Sequence, residues 1–291
     1  MPLTLLLLPS LIFLIAVFAL PLIRYVWLSF HADSVMTGLL AIPNQGANWQ
    51  RFIHDSRYWQ DLFQTLRFAF VSVTAEVVLG LIIALILNQP LRKRALIRSS
   101  SLIPWALPTT VMALGWRWIF NTPYGPIDRL IQSGLGRPLN ALGEPSIAWI
   151  TTVYADIWKT TPFVALILLA GLQTIPSDLY EAAKLEGAGP WICLRRITVP
   201  LLVPYLGLAL MFRLAQAFGV FDLVQVMTGG GPASSTESIA LYAYWNALRF
   251  LDFGYSATIM IGSFVILSSL IVIAWFVISV ARNRLAGAFA K

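Results

Sequence analysis

Long apolar runs separated by short polar segments dominate this chain. Six runs, at about Leu3–Leu28, Leu62–Leu87, Leu102–Phe120, Ile147–Leu172, Leu201–Val226 and Tyr255–Val280, approach or exceed the roughly 20 residues a helix needs to cross hydrocarbon. No ten-residue alternation of the barrel type appears. Backbone groups in lipid must bond within their own segment, so the pattern predicts helices. The longest connection, Phe30–Asp61, contains NWQRFIHDSRYWQDLF, in which Trp49, Phe52, Ile53, Trp59, Leu62 and Phe63 alternate with charges. That mixture predicts a short interfacial helix leading into the second run, with aromatic rings at headgroup depth. Pro104 and Pro108 predict a kink at the start of the third run. The segment Asn121–Ser146, rich in Gly and Pro, reads as irregular, and Thr228–Pro232 (TGGGP) reads as a sharp break after the fifth run. There is no internal repeat and no second soluble domain, so residues 1–291 read as one transmembrane domain.

Composition agrees. The chain is 58% hydrophobic and 11% charged, with mean hydropathy +0.76, whereas soluble domains carry roughly a quarter charged residues. The net charge of +7 is therefore read through topology rather than as a nucleic-acid signal. With both termini inside, the inner segments hold ten basic residues: Arg92, Lys93, Arg94, Arg98, Lys184, Arg195, Arg196, Arg282, Arg284 and Lys291. The outer ones hold five: Arg51, Arg57, Arg129, Arg137 and Arg249. This bias predicts cytoplasmic termini. The first run lacks a basic n-region and a small-x-small site, which argues against a cleaved signal peptide, although the bare start Met1-Pro2-Leu3 is unusual for an inner terminus. Cys193 is the one cysteine, so no intrachain disulfide can form.

Catalytic signatures are absent. No G-x-x-x-x-G-K-[ST] or H-E-x-x-H occurs, and His31 and His54 have no partners at metal-ligand spacing. No nucleophile–base set can be assembled at one depth. Ionisable residues within spans are costly and mark either structural pairs or a translocation path. Four sit well within the runs: Glu76, Asp156, Lys159 and Arg213. Asp156 and Lys159 are three apart and can pair along one helix face, and Glu76 can pair with Arg213. Both structural and substrate roles are open for them.

The polar segment Ser177–Pro200, SDLYEAAKLEGAGPWICLRRITVP, has a physical reading of its own. Asp178 to Glu186 predicts a helix of good formers with acids early and Ser177 as its cap. Gly187 ends it and Pro190 opens a second helix, which carries Arg195 and Arg196 toward the fifth run. Two helices bent at a glycine result.

Its order, Glu181-Ala182-Ala183, three residues, Gly187, nine residues, Ile197-x-Val199-Pro200, resembles the EAA loop of ABC importer permeases, with Val199 where Leu is usual. Residues 84–121, 156–183 and 212–232 extend the resemblance to the carbohydrate, maltose-type family, and the last piece resembles the first permease of its heterodimers. The resemblance implies an all-α integral membrane protein with six transmembrane helices and the type I importer permease fold. It implies a sugar or glycoside substrate and a bacterial or archaeal cell membrane. The expected partners are a second permease, two ATPase subunits that use ATP and Mg, and an external solute-binding protein. No cofactor is expected on this chain, which is expected not to be an enzyme. Glu181, Ala182, Ala183 and Gly187 of the coupling loop 177–200 are expected to dock the ATPase. Lys159, Thr160, Phe163, Arg213, Gln216, Ala217 and Val220 are expected to line the substrate site. Ala217 and Val220 stand where the maltose permease is polar, and two basic residues enter the site, which suits another glycoside or a ligand such as a glycerol phosphate. A polyol importer and an ion-coupled transporter are the alternatives.

Overall fold

The computed structural model describes residues 3–90, 92 and 94–289. Lys93 and Lys291 of the basic count, and the Met1-Pro2 start, lie outside the described residues. Among the described residues, five helices are long and apolar enough to span a membrane: α1 (Leu7–Ser29), α2 (Ser56–Asn88), α3 (Pro145–Leu172), α4 (Pro190–Phe218) and α5 (Phe253–Val280). Their apolar side chains are widely exposed; Phe13 is 63% and Phe276 62% accessible, a surface suited to lipid and not to water.

Three elements depart from the sequence expectation. The third run, Leu102–Phe120, is broken into helices Ile103–Ala106 and Thr109–Ile119, with Leu107 and Pro108 extended. Proline lacks an N–H, and it drives the preceding residue out of the helical region. The fifth run ends at Phe218, after which a separate helix, Asp222–Met227, begins. The segment expected to be irregular contains a helix, Pro126–Leu135. Buried Asp128 ties that helix back to the chain, accepting hydrogen bonds from Thr122 Oγ1 (3.0 Å), Leu139 N (2.8 Å) and Asn140 N (3.3 Å).

The chain divides into two compact units, residues 1–63 with 239–266 and residues 64–238 with 267–291. In the first, the predicted interfacial helix forms at Ala47–His54. A two-residue antiparallel pair sets His31 opposite Pro43. Asn48 Nδ2 donates to the carbonyls of Ser29 (3.2 Å) and His31 (3.0 Å). Asp55 is the hub of this unit. It accepts from the Tyr242 (2.7 Å) and Tyr255 hydroxyls and from the Arg57 and Tyr58 amides. Burial opposes its ionisation, but these donors outweigh burial and hold its pKa below the ordinary carboxylate value. Burial first, and the neighbouring carboxylate second, push the Tyr242 phenol up to about 12.

Among the described residues, the second unit holds two apolar clusters. One gathers Phe68, Met112, Trp149, Val153 and Met227; the other gathers Leu87, Val164, Leu168, Leu172 and Leu202. Glycines let its spans approach closely, as small residues do in membranes. A Cβ on Gly80 would lie 2.7 Å from Val164 Cγ1, and one on Gly171 would lie 2.6 Å from the Tyr205 ring. We expect Gly171→Val to force α3 away from α4 at a cost of about 1–3 kcal/mol. Thermal inactivation of the detergent-solubilised protein would show this as a lowered midpoint; an unchanged midpoint would refute the close packing.

Candidate functional site

The site is built on α2, α3 and α4, with the proline break beside it. Helix ends leave carbonyls without in-helix donors. Lys159 Nζ supplies them at the break, donating to Leu107 O (2.6 Å) and Trp105 O (3.3 Å). Lys159 therefore repairs a backbone opened by proline, and Asp156, three residues before it, turns elsewhere. This corrects the expected Asp156–Lys159 pair.

Asp156 and Glu76 converge on Arg213. Arg213 Nη2 donates to Glu76 Oε1 (2.9 Å) and Asp156 Oδ2 (3.0 Å), and its Nε donates to Glu76 Oε2. Nη1 donates to Gln216 Oε1 at 2.8 Å. The Thr160 hydroxyl lies 2.7 Å from Glu76 Oε1 and 2.6 Å from its own helix carbonyl at Asp156. Glu76 is 0% and Arg213 1% exposed, making them among the largest fully buried side chains. Three helices thus share one guanidinium, and the Glu76–Arg213 pairing that the sequence allowed is present. Charge-assisted, bidentate geometry is what makes such burial tolerable.

Of the residues expected to line the site, Thr160, Arg213 and Gln216 belong to this network, and Gln216 is its exposed member. Phe163 stacks on Trp105 (5.5 Å between centroids, 18°) and meets Phe212 edge-on (6.1 Å). Ala217 is 1% exposed in the Trp149 core, and Val220 packs against the same cluster. Trp105 and Phe212 were missed by sequence reasoning; their only signal was aromatic character within a span.

The segment between α3 and α4 has the expected bend. Its helix spans Ser177–Leu185, with Pro176, not Ser177, at the N-cap, while Ser177 Oγ donates to Asp178 Oδ1 (3.3 Å). Gly187 has φ +82°. Ala188 N donates to Ala183 O (2.9 Å) and Gly187 N to Lys184 O (3.0 Å), the double bond of a Schellman end. The expected second helix is the N-terminal end of α4 itself, which starts at Pro190 and passes through a π turn at Leu194–Thr198. The Tyr180 and Thr198 hydroxyls meet at 3.0 Å, joining the two arms. Glu181 and Ala182 are exposed, as is Gly187, and Leu185 is 91% and Trp191 71% accessible.

Apolar spans, a charged cluster buried among them and a glycine-bent hairpin between two spans define a membrane permease. The fold agrees with a solved bacterial ABC transporter involved in import of the acidic polysaccharide alginate, at TM-score 0.78 and 19% identity over 97% of this chain and 93% of that one. A more distant likeness, TM-score 0.51 and 21% identity over 78% and 94%, is to the MetNI methionine ABC transporter. Residues 76–285 match the profile of the binding-protein-dependent transport system inner membrane component, and the chain belongs to that family. It is 42% identical to the trehalose/maltose transport system permease protein MalF of Thermococcus litoralis, over 92% of this chain and 90% of the relative. It is 37% identical to the sulfoquinovosyl glycerol transport system permease protein SmoG of Agrobacterium fabrum, over 89% and 84%. The chain is an inner-membrane transport subunit and not an enzyme.

Proposed function

We propose that this chain is one of two non-identical permeases in an ATP-driven sugar importer, receiving its substrate from an external binding protein. The observation that carries the reading is the position of the buried network. Two of its three helices, α3 and α4, flank the bent segment, so a push on that segment reaches them directly. Glu181, Ala182, Ala183 and Gly187 are the surface an ATPase subunit grips, with ATP and Mg held by that partner. Both termini face the cytoplasm. Thr160 and Gln216, with Phe163, Lys159 and Arg213 around them, meet the substrate; Ala217 and Val220 pack behind them in the Trp149 cluster. Neutral hydroxyls need such donors and acceptors beside an aromatic face. The trehalose/maltose system of the similar relative makes a disaccharide the substrate to try first.

Uptake tests this. Proteoliposomes holding the chain with its second permease and ATPases should accumulate labelled trehalose or maltose only when ATP and binding protein are supplied. Accumulation driven by an ion gradient without ATP would overturn the reading.

A further inference from the structure

We propose that Glu76 and Asp156 make this site selective for uncharged sugars, excluding those that carry a phosphate, sulfonate or carboxylate. The inference rests on the substrate site proposed above and extends it to a substrate class. Two cations lie at the site, Arg213 and Lys159, and either alone would attract an anion. Both are held by groups of the protein itself. Arg213 gives its Nε and Nη2 hydrogen bonds to the two carboxylates and its Nη1 bond to Gln216, and it is 1% exposed. Lys159 is bound to the carbonyls of Trp105 and Leu107. With both carboxylates ionised by their bonds to Arg213, two negative charges match one guanidinium and one ammonium. An incoming anion would then meet a site of zero net charge, and in a medium of low dielectric it would keep most of its desolvation cost.

The same bonds choose what the site does offer. Arg213 holds Gln216 Oε1 at 2.8 Å, so the amide cannot flip without losing a charge-assisted bond. Its NH2 group, two donors, remains on the exposed residue. A neutral hydroxyl suits such a donor. Glu76 thus acts as a positioning and specificity residue: it fixes Arg213, which fixes Gln216, and its charge cancels the attraction an anion would feel.

Two carboxylates share the one buried guanidinium. Glu76→Gln leaves Arg213 balanced by Asp156, so the protein should still accumulate, while the site gains one net positive charge. The experiment uses the assembled importer with its ATPases in nanodiscs, without binding protein. Saturation-transfer NMR titrations with trehalose and with trehalose 6-phosphate give the two dissociation constants. Wild type should hold trehalose at least about tenfold more tightly than its phosphate. Glu76→Gln should narrow that ratio by about tenfold, the effect of roughly 1.4 kcal/mol of added attraction. Asp156→Asn makes the same charge change and serves if Glu76→Gln does not accumulate. A wild type that binds both sugars equally, or prefers the phosphate, overturns the charge argument while leaving the site in place. So does an unchanged ratio in the variants. A wild type that binds neither sugar overturns the site itself.

Discussion

Arg213→Ala is expected to destabilise the protein by about 3–5 kcal/mol, the usual cost of stripping one partner from a buried ion cluster. The variant leaves Glu76 and Asp156 facing one another inside the spans, both buried and without the guanidinium that bonds each of them. Two like charges cannot both stay ionised in such a place. Gln216 loses its Nη1 contact, and Thr160 keeps its helix carbonyl but faces a carboxylate without its cation. Membrane accumulation should fall steeply, and what remains should melt at lower temperature in detergent. Gln216→Ala, on the exposed side of the same cluster, should accumulate normally. A further variant separates lost charge balance from lost packing. Arg213→Met combined with Glu76→Gln and Asp156→Asn removes all three charges, and it should regain most of the lost stability, because neutral replacement of a buried ion cluster is often tolerated. Normal accumulation of Arg213→Ala by itself would show that the network carries little of the fold's stability.

Gly187→Asp is expected to reduce ATP-driven uptake at least about tenfold at unchanged membrane levels. A Cβ at this position meets nothing within 4 Å, so the variant does not clash within the chain. Its conformational cost comes from φ +82° and is about 1–2 kcal/mol, confined to the end of one helix. The larger effect lies on the surface proposed to meet the ATPase. A carboxylate desolvated there without a partner costs several kcal/mol, and each ~1.4 kcal/mol is tenfold in affinity. Gly187→Asn has nearly the same shape, tolerates positive φ comparably and carries no charge; it should retain most of the uptake. Co-purification of the ATPase with each variant reads the same interface directly. Equal uptake by the aspartate and asparagine variants would place the charge away from any interface.

The two predictions probe opposite ends of one lever. The bent segment continues into α4 through the π turn at Leu194–Thr198, and the Tyr180–Thr198 contact ties its two arms. Arg213 lies further along the same helix. In the proposed importer, a push on the hairpin would reach the network through the helix backbone, because packed interiors transmit strain.

Apolar length alone determined most of the spans, because a helix in hydrocarbon must satisfy its own backbone, and about 20 uninterrupted apolar residues leave few other solutions. Spacing alone likewise determined the bend at Gly187, since a positive φ before a proline-led helix has one economical residue choice. Charge inside an apolar run marked Glu76, Asp156, Lys159 and Arg213 as exceptional. Their pairing was another matter. Sequence proximity favoured Asp156 with Lys159, three residues apart on one face, whereas packing of three helices brought Asp156 to Arg213, 57 residues away. Lys159 was drawn to carbonyls freed by a proline break whose depth no local pattern reveals. Ala217 and Val220 look like any apolar site residues until the Trp149 cluster encloses them. Periodicity reports what one helix can do by itself. Which charges cancel, and which donor is left for a ligand, depends on distances between helices, and only the tertiary structure decides those.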